Sequence, residues 1–158
     1  MEKTDKKSYR NSIVAIIKRK DGKLLITLNP RTNSLDPIFI DKNTFKFPQG
    51  GIDNEEIPEF ALYRELKEEL GLHLEKESIK AKLDNYISYW FKSSNGPDFE
   101  IRLHAFLLEV DKLDENTLKP DPEEIAEIRW IEPKKVEDLD LGIRHEAYLS
   151  ILKKFDLI

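Results

Sequence analysis

Short blocks of apolar residues, spaced by polar turns, divide most of this chain into strands, and two stretches carry helical spacing instead. Residues 13–17, Ile-Val-Ala-Ile-Ile, form an uncharged, mostly β-branched run that reads as a buried strand. Asp21-Gly22 is a strong turn signal, and residues 23–28 follow it as a second strand. Residues 45–51 are extended and end in Pro48-Gln49-Gly50-Gly51. Residues 80–91 and 101–110 are further strand candidates, and Ser93-Ser94-Asn95-Gly96-Pro97 between them predicts a hairpin. Residues 128–131 make a last short strand. Helical periodicity runs over 57–70, with Asn54, Glu55 and Glu56 supplying capping oxygens and negative charge at its start. Pro58 falls in the first turn, where its missing N–H does no harm, and Gly71 is placed to close the helix in a left-handed conformation. A terminal helix over 146–155 sets Ala147, Ile151, Leu152 and Phe155 on one side. Strands before, between and after two helices predict an α/β fold, a mixed sheet covered by helices on its faces.

The remaining segments are loops. Residues 1–8 read as a charged leader and residues 9–158 as one domain. Residues 29–43 hold two Pro, three Asn and the apolar triplet Ile38-Phe39-Ile40. They read as a long loop with a short strand inside it, serving either as a lid or specificity loop or as a surface insertion without a role. Residues 119–124 form an acidic loop containing Pro120 and Pro122.

Composition narrows the function classes. Of the 158 residues 36% are charged and 39% hydrophobic, with a formal net charge of −5. That balance lacks the basic excess with which proteins grip long nucleic acid, so no stable DNA complex is expected. It leaves room for a small anionic ligand, provided that cations or metal ions are local to its site. The absence of cysteine excludes disulfides, thiolate zinc sites and cysteine nucleophiles. No apolar run approaches the roughly 18 residues needed to span a membrane, and no apolar signal segment follows the N-terminus, so the cytoplasm is the default expectation. Nothing in the sequence fixes an oligomeric state.

The 57–70 helix carries the chemistry. At about 100° per residue, Glu69 lies roughly 40° to one side of Glu65 and Glu68 about 60° to the other. Three carboxylates therefore share one stripe, beside an apolar arc of Leu62, Leu66, Leu70 and Tyr63 that predicts the core face. Like charges at these spacings cost a helix a few tenths of a kcal/mol per pair. A solvated acidic face is the plain alternative. A hard divalent cation would relieve the repulsion, since Mg²⁺ prefers carboxylate oxygens and shares its other positions with water and phosphate.

The acids do not come alone. From Gly50 the chain reads Gly, five residues, Glu56, seven residues, Arg64-Glu65, Leu66, any residue, Glu68-Glu69, any residue, Gly71, Leu72. This resembles the signature of the Nudix hydrolase family at all nine specified positions. With each of the seven fixed residues at roughly 7% usage, chance agreement falls below about one in a hundred thousand. The resemblance implies an α/β/α sandwich with a mixed sheet, in which the signature forms a loop–helix–loop, and an enzyme that hydrolyses a diphosphate linkage in nucleoside-diphosphate compounds. It implies Mg²⁺ as cofactor, with Mn²⁺ able to substitute. Glu65, Glu68 and Glu69 become metal ligands, joined by the carbonyl of Gly50 or Gly51. Glu56 supports the loop by pairing with Arg64, which orients the site, and Gly71 is structural. The proton acceptor is either Glu68 or Glu69, or else Glu124 (or Glu123) in the acidic loop. His73, His104 and His145 are scattered and offer no competing triad.

Two further strings, Tyr9-Arg10 before a strand and Phe47-Pro48-Gln49-Gly50-Gly51-Ile52, resemble one branch of that family, the bacterial RNA pyrophosphohydrolases and diadenosine polyphosphate hydrolases. The resemblance places Arg10 near the phosphates; a strand-end surface charge is the alternative. Where that branch tends to carry Phe-Lys near the last helix, this chain has Ile143-Arg144, so Arg144 keeps a phosphate contact while Ile143 offers no ring for a base. Tyr89, with Trp90 and Phe91, is the candidate stacking group, although on a strand about half of such residues face the core. The expected substrate is thus a 5′-triphosphorylated RNA end or a dinucleoside polyphosphate. A (d)NTP or nucleotide-sugar pyrophosphatase, or a nucleotide-sensing domain without turnover, are the other readings.

Overall fold

Residues 8–29, 44–91, 97–111 and 118–158 are described by the computed structural model. Its strands are β1 (Tyr9–Arg19), β2 (Leu24–Leu28), β3 (Phe45–Lys46), β4 (Gln49–Gly51), β5 (Ile79–Lys82), β6 (Ile87–Phe91), β7 (Phe99–Val110) and β8 (Glu127–Ile131); the α-helices are α1 (Pro58–Leu70) and α2 (His145–Lys154). Short 3₁₀ turns occupy Lys76–Ser78, Pro133–Asp138 and Gly142–Arg144.

The described strands form one mixed sheet. A parallel ladder joins β1 to β7 from Tyr9↔Glu100 to Arg19↔Val110, and the other pairings are antiparallel. This ladder explains why β1 outruns the apolar stretch 13–17: backbone pairing along β7 holds Tyr9 to Ser12 extended as well. Alternation along β1 then sorts the core. Ile13, Ala15 and Ile17 face Ala61, Leu62, Leu66 and Leu70 of α1, together with Phe106 and Leu108. Val14 and Ile16 face the opposite way, onto Ala147, Tyr148, Ile151 and Leu152 of α2. Each fully buried Leu of α1 contributes roughly 1.5–3 kcal/mol of apolar burial. The result is the expected α/β/α sandwich.

Several local expectations need correction. The 80–91 segment is not one strand: Asp84-Asn85 bends the chain, and β5 and β6 pair separately with β7. The 45–51 segment is likewise two short strands, parted at Phe47-Pro48, where proline has no N–H to offer a ladder. The α1 N-cap is Ile57, with no side-chain cap; Asn54, Glu55 and Glu56 do not supply one. Proline at the first helical position removes one donor, and the Glu56 carboxylate is engaged elsewhere. Tyr63 stands only half-buried beside the core, while Ile57 and Phe60 are exposed. Gly71 behaves as expected: at φ 66° it closes α1, and the Leu72 N–H donates back to the Leu66 carbonyl. The leader (1–7), the 30–43 part of the long loop and residues 92–96 of the hairpin turn lie outside the described residues; the strands that the turn joins do pair antiparallel. Among the described residues no helix is long and apolar enough to cross a membrane.

Candidate active site

The signature loop folds around one guanidinium. Arg64 donates through Nε and Nη2 to both carboxylate oxygens of Glu56 (2.9 and 2.8 Å), through Nη2 to the Gly51 carbonyl (2.8 Å) and through Nη1 to Glu65 (2.9 Å). Glu56 also accepts the Asp53 N–H at 3.0 Å, which closes the turn ahead of the helix. The Arg64 hydrogen bond, helped by that N–H, holds the Glu56 carboxyl down to about 2. The predicted Glu56–Arg64 pair is therefore present, and it is bidentate. Of the two candidate carbonyls, that of Gly51 is engaged by Arg64, while Gly50 pairs with Ile13 in the sheet.

Two glycines let charged side chains lie against the backbone. A Cβ on Gly50 would come within 2.1 Å of the Glu65 carboxyl, and one on Gly51 within 2.0 Å of the Arg10 guanidinium. Glu65 and Arg10 thus flank the Gly50-Gly51 strand at distances that no side chain would permit.

These groups open onto a cavity of about 480 Å³, whose lining includes Arg10, Gly50, Glu65, Glu68, Glu69, Tyr89, Glu124 and Arg144. Residues from the first strand, the signature helix, the acidic loop and the end of the chain meet there. The acidic loop is hung on the end of α1: Lys119 N–H donates to the Leu70 carbonyl (2.8 Å) and Asp121 N–H to the Glu69 carbonyl (2.9 Å). That anchorage carries Glu124 to the cavity wall, whereas Glu123 does not line it. None of the three histidines lines it either; His104 faces Asn11 at 3.1 Å, on the α1 side of the sheet.

The three acids differ in setting. Glu69 is buried, Glu65 is half-buried, and the Glu68 side chain is 59% exposed. Burial raises the Glu69 carboxyl to about 7; the Lys46 ammonium opposes this, and Glu65, Glu124 and Glu68 add to it. Burial also raises Glu65, against the pull of Arg64. Arg64 stands 3.6 Å from Glu68, and as the side chains lie no three acidic or histidine groups among the described residues converge tightly enough to hold a metal ion.

The opposite wall is cationic and aromatic. The Arg144 guanidinium lies 5.6 Å from the centroid of the Tyr89 ring, and its Nε and Nη1 are buried without a hydrogen-bond partner. Tyr89 lines the cavity but is only 6% exposed. Its hydroxyl accepts from Gln49 at 2.9 Å, and Gln49 in turn accepts from Tyr148. Tyr89 is therefore a fixed wall and offers no open face for a base. Phe91 shares the lining, Trp90 points to the other side of the sheet, and Ile143 packs into the α2 core. Sequence reasoning did not single out Ser12, Lys46, Ile101 or Asp121, which also line the cavity. Lys46 sits between Phe45 and Phe47, and that alternation was the signal that it faces away from the core those rings enter.

Fold and site define a hydrolase-type α/β/α domain built around the 50–72 signature. Residues 8–151 match the NUDIX domain, and the chain belongs to that family. It is similar to an RNA pyrophosphohydrolase of Zymomonas mobilis, 26% identical over 161 residues that span 96% of this chain and 97% of that one. An RNA pyrophosphohydrolase of Pseudoalteromonas translucida is 30% identical over 122 residues, covering 72% of this chain and 71% of the other. Among solved structures, the MutT protein of Methanosarcina mazei superposes with a TM-score of 0.65 at 19% identity, covering 97% and 96% of the two chains. The Escherichia coli dihydroneopterin triphosphate pyrophosphohydrolase does so with a TM-score of 0.66 at 15% identity, covering 92% and 95%. As an enzyme the chain is a Nudix hydrolase.

Proposed function

We propose that this Nudix hydrolase is Mg²⁺-dependent and cuts a phosphoanhydride in a 5′-triphosphorylated RNA end or a dinucleoside polyphosphate. The observation that carries the reading is the meeting of Glu65, Glu68, Glu69 and Gly50 with Arg10 and Arg144 around one cavity. A cluster of mutually repelling carboxylates, of which the buried Glu69 is raised to about 7, is a donor set that suits a hard divalent cation. Glu65, Glu68, Glu69 and the Gly50 carbonyl would hold such ions, which supply charge neutralisation and a more acidic bound water.

The protein's own groups perform the remaining tasks. Arg64 is a positioning residue: it fixes Glu56, the Gly51 carbonyl and Glu65 in one network and so sets the acids against the loop. Arg10 and Arg144 bind phosphate oxygens. Water attacks one phosphorus; the new P–O bond forms as the bridging P–O bond breaks, and the bridging oxygen leaves with the electron pair. The water proton passes to a carboxylate, and Glu68, Glu69 and Glu124, all in the cavity lining, are the candidates. The names of the RNA pyrophosphohydrolase relatives support the substrate choice.

One observation favours a second reading. Ile143 is packed into the core and the Tyr89 ring is buried, so neither presents a stacking face for a base. A (d)NTP or nucleotide-sugar pyrophosphatase fits that feature. A product-resolved assay with Mg²⁺ on triphosphorylated RNA, diadenosine tetraphosphate, dNTPs and ADP-ribose separates the two. The highest kcat/KM on RNA or diadenosine tetraphosphate supports the first reading, and the highest on dNTPs or ADP-ribose replaces it with the second. Binding without turnover of any of them would leave a sensing domain.

A further inference from the structure

Lys46 lies in the cavity wall, on a two-residue strand whose neighbouring rings, Phe45 and Phe47, enter the α2 core. Enclosure in the protein works against its charge, and the groups it feels include Glu69, Glu124 and Glu65 on one side and the Arg144 guanidinium on the other. Two features are costly. The charge of Arg144 works against that of Lys46 across the wall of the cavity that both line. Arg144 also keeps two N–H groups buried with no acceptor, although a buried donor normally finds one. A single remedy answers both: an oxyanion between the two cations accepts the orphaned N–H groups and cancels the repulsion. Arg144 is held for that purpose by rigid neighbours, since the Tyr89 ring under it is tied to Gln49, and Gln49 to the fully buried Tyr148.

We propose that Lys46 is a substrate-positioning residue which, with Arg144, forms an anion site at the cationic end of the cavity and holds a phosphate group beyond those gathered at the Glu65–Glu68–Glu69 side. The inference rests on the reading of the cavity as a polyphosphate site. Its consequence is discrimination by chain length: a chain of three phosphates reaches both ends of the cavity, and a chain of two satisfies only one.

Inorganic tripolyphosphate and pyrophosphate are the probes, titrated calorimetrically into the full-length protein with Ca²⁺ in place of Mg²⁺ to suppress turnover. Wild type is expected to bind tripolyphosphate about tenfold or more tightly than pyrophosphate, the scale of one charge-assisted contact. Lys46→Gln removes that preference, and Lys46→Arg restores most of it. In steady-state assays Lys46→Gln raises KM for a nucleoside triphosphate about tenfold while kcat changes much less. If Lys46 only balanced the charge of the acids, Lys46→Gln would shift the Ca²⁺ requirement equally for both probes, and that result overturns the proposal. Equal affinity of wild type for the two chains overturns it too, whether or not the variants fold. Failure of wild type to hydrolyse any nucleotide with Mg²⁺ would count against the enzymatic reading alone, because the binding contrast needs no turnover.

Discussion

A carboxyl group raised to about 7, such as that of Glu69, burdens the metal-free protein at neutral pH. Its folded value lies above the ordinary 4.5, so the folded state binds the proton more tightly than the unfolded one. The associated stability is fully present below about 4.5 and is lost as pH rises through about 7. Thermal melts in chelator are therefore expected to fall between pH 5 and pH 8 (a range of roughly that width follows from the linkage). Glu69→Gln should flatten that slope, and an unchanged slope would refute the assignment. Glu68 is the contrasting case: exposed and making little packing, it should tolerate Glu68→Gln with an unaltered melting temperature while kcat falls by about 10²-fold or more. Turnover at the wild-type rate would remove it from the reaction. Gly50→Ala sets a methyl within 2.1 Å of the Glu65 carboxyl and should depress activity more than stability, as read by kcat and thermal melts side by side. The acids were legible in the sequence because the signature fixes their spacing. Lys46, Ser12 and Asp121 were not, because a lone lysine between two phenylalanines or a serine in a strand has no spacing that separates a cavity wall from a surface. Tyr89 shows the opposite error: an aromatic that lines a cavity can still have its ring consumed by packing.

At the scale of the element, α1 owes its placement to its two ends more than to its length. Pro58 and Gly71 marked those ends correctly, since both act through backbone geometry that the sequence states outright. The capping expectation failed because Glu56 is drawn into the Arg64 network, a contact across eight residues that helix rules do not contain. The fork of that guanidinium meets both oxygens of Glu56, a geometry that an ammonium cannot copy. Arg64→Lys should thus lower kcat/KM by at least about tenfold and destabilise the fold by roughly 1–3 kcal/mol. Calorimetric unfolding together with kinetics would check both, and full activity in the lysine variant would show that charge alone suffices. The division of 79–91 into β5 and β6 was obscured because apolar residues resume at Ile87 in a phase that a single strand would also show.

For the molecule as a whole, the layer order was legible and the neighbourhood of the strands was not. Two helices among short strands predict a covered mixed sheet, yet periodicity says nothing about which strand lies beside which, and the β1–β7 pairing emerged only from the structure. Residues of β1, β3, β4, β6 and β7 line the cavity together with α1, so divalent ions gathered there should stabilise the global fold. Mg²⁺ is expected to raise the melting temperature of wild type and to restore activity lost in chelator. Glu65→Gln should blunt both responses, and a melting temperature indifferent to Mg²⁺ would argue against a metal centre.

The parallel ladder between β1 and β7 also governs how the protein is made. Its first strand is made before Phe99–Val110, its longest partner, and the second helix follows later still. Such distant pairing closes late and slowly. A nascent chain halted before residue 99 would hold the whole signature helix and β1 while lacking Phe106 and Leu108 of their shared core, and its exposed Ile-Val-Ala-Ile-Ile edge would be open to chaperones and to self-association.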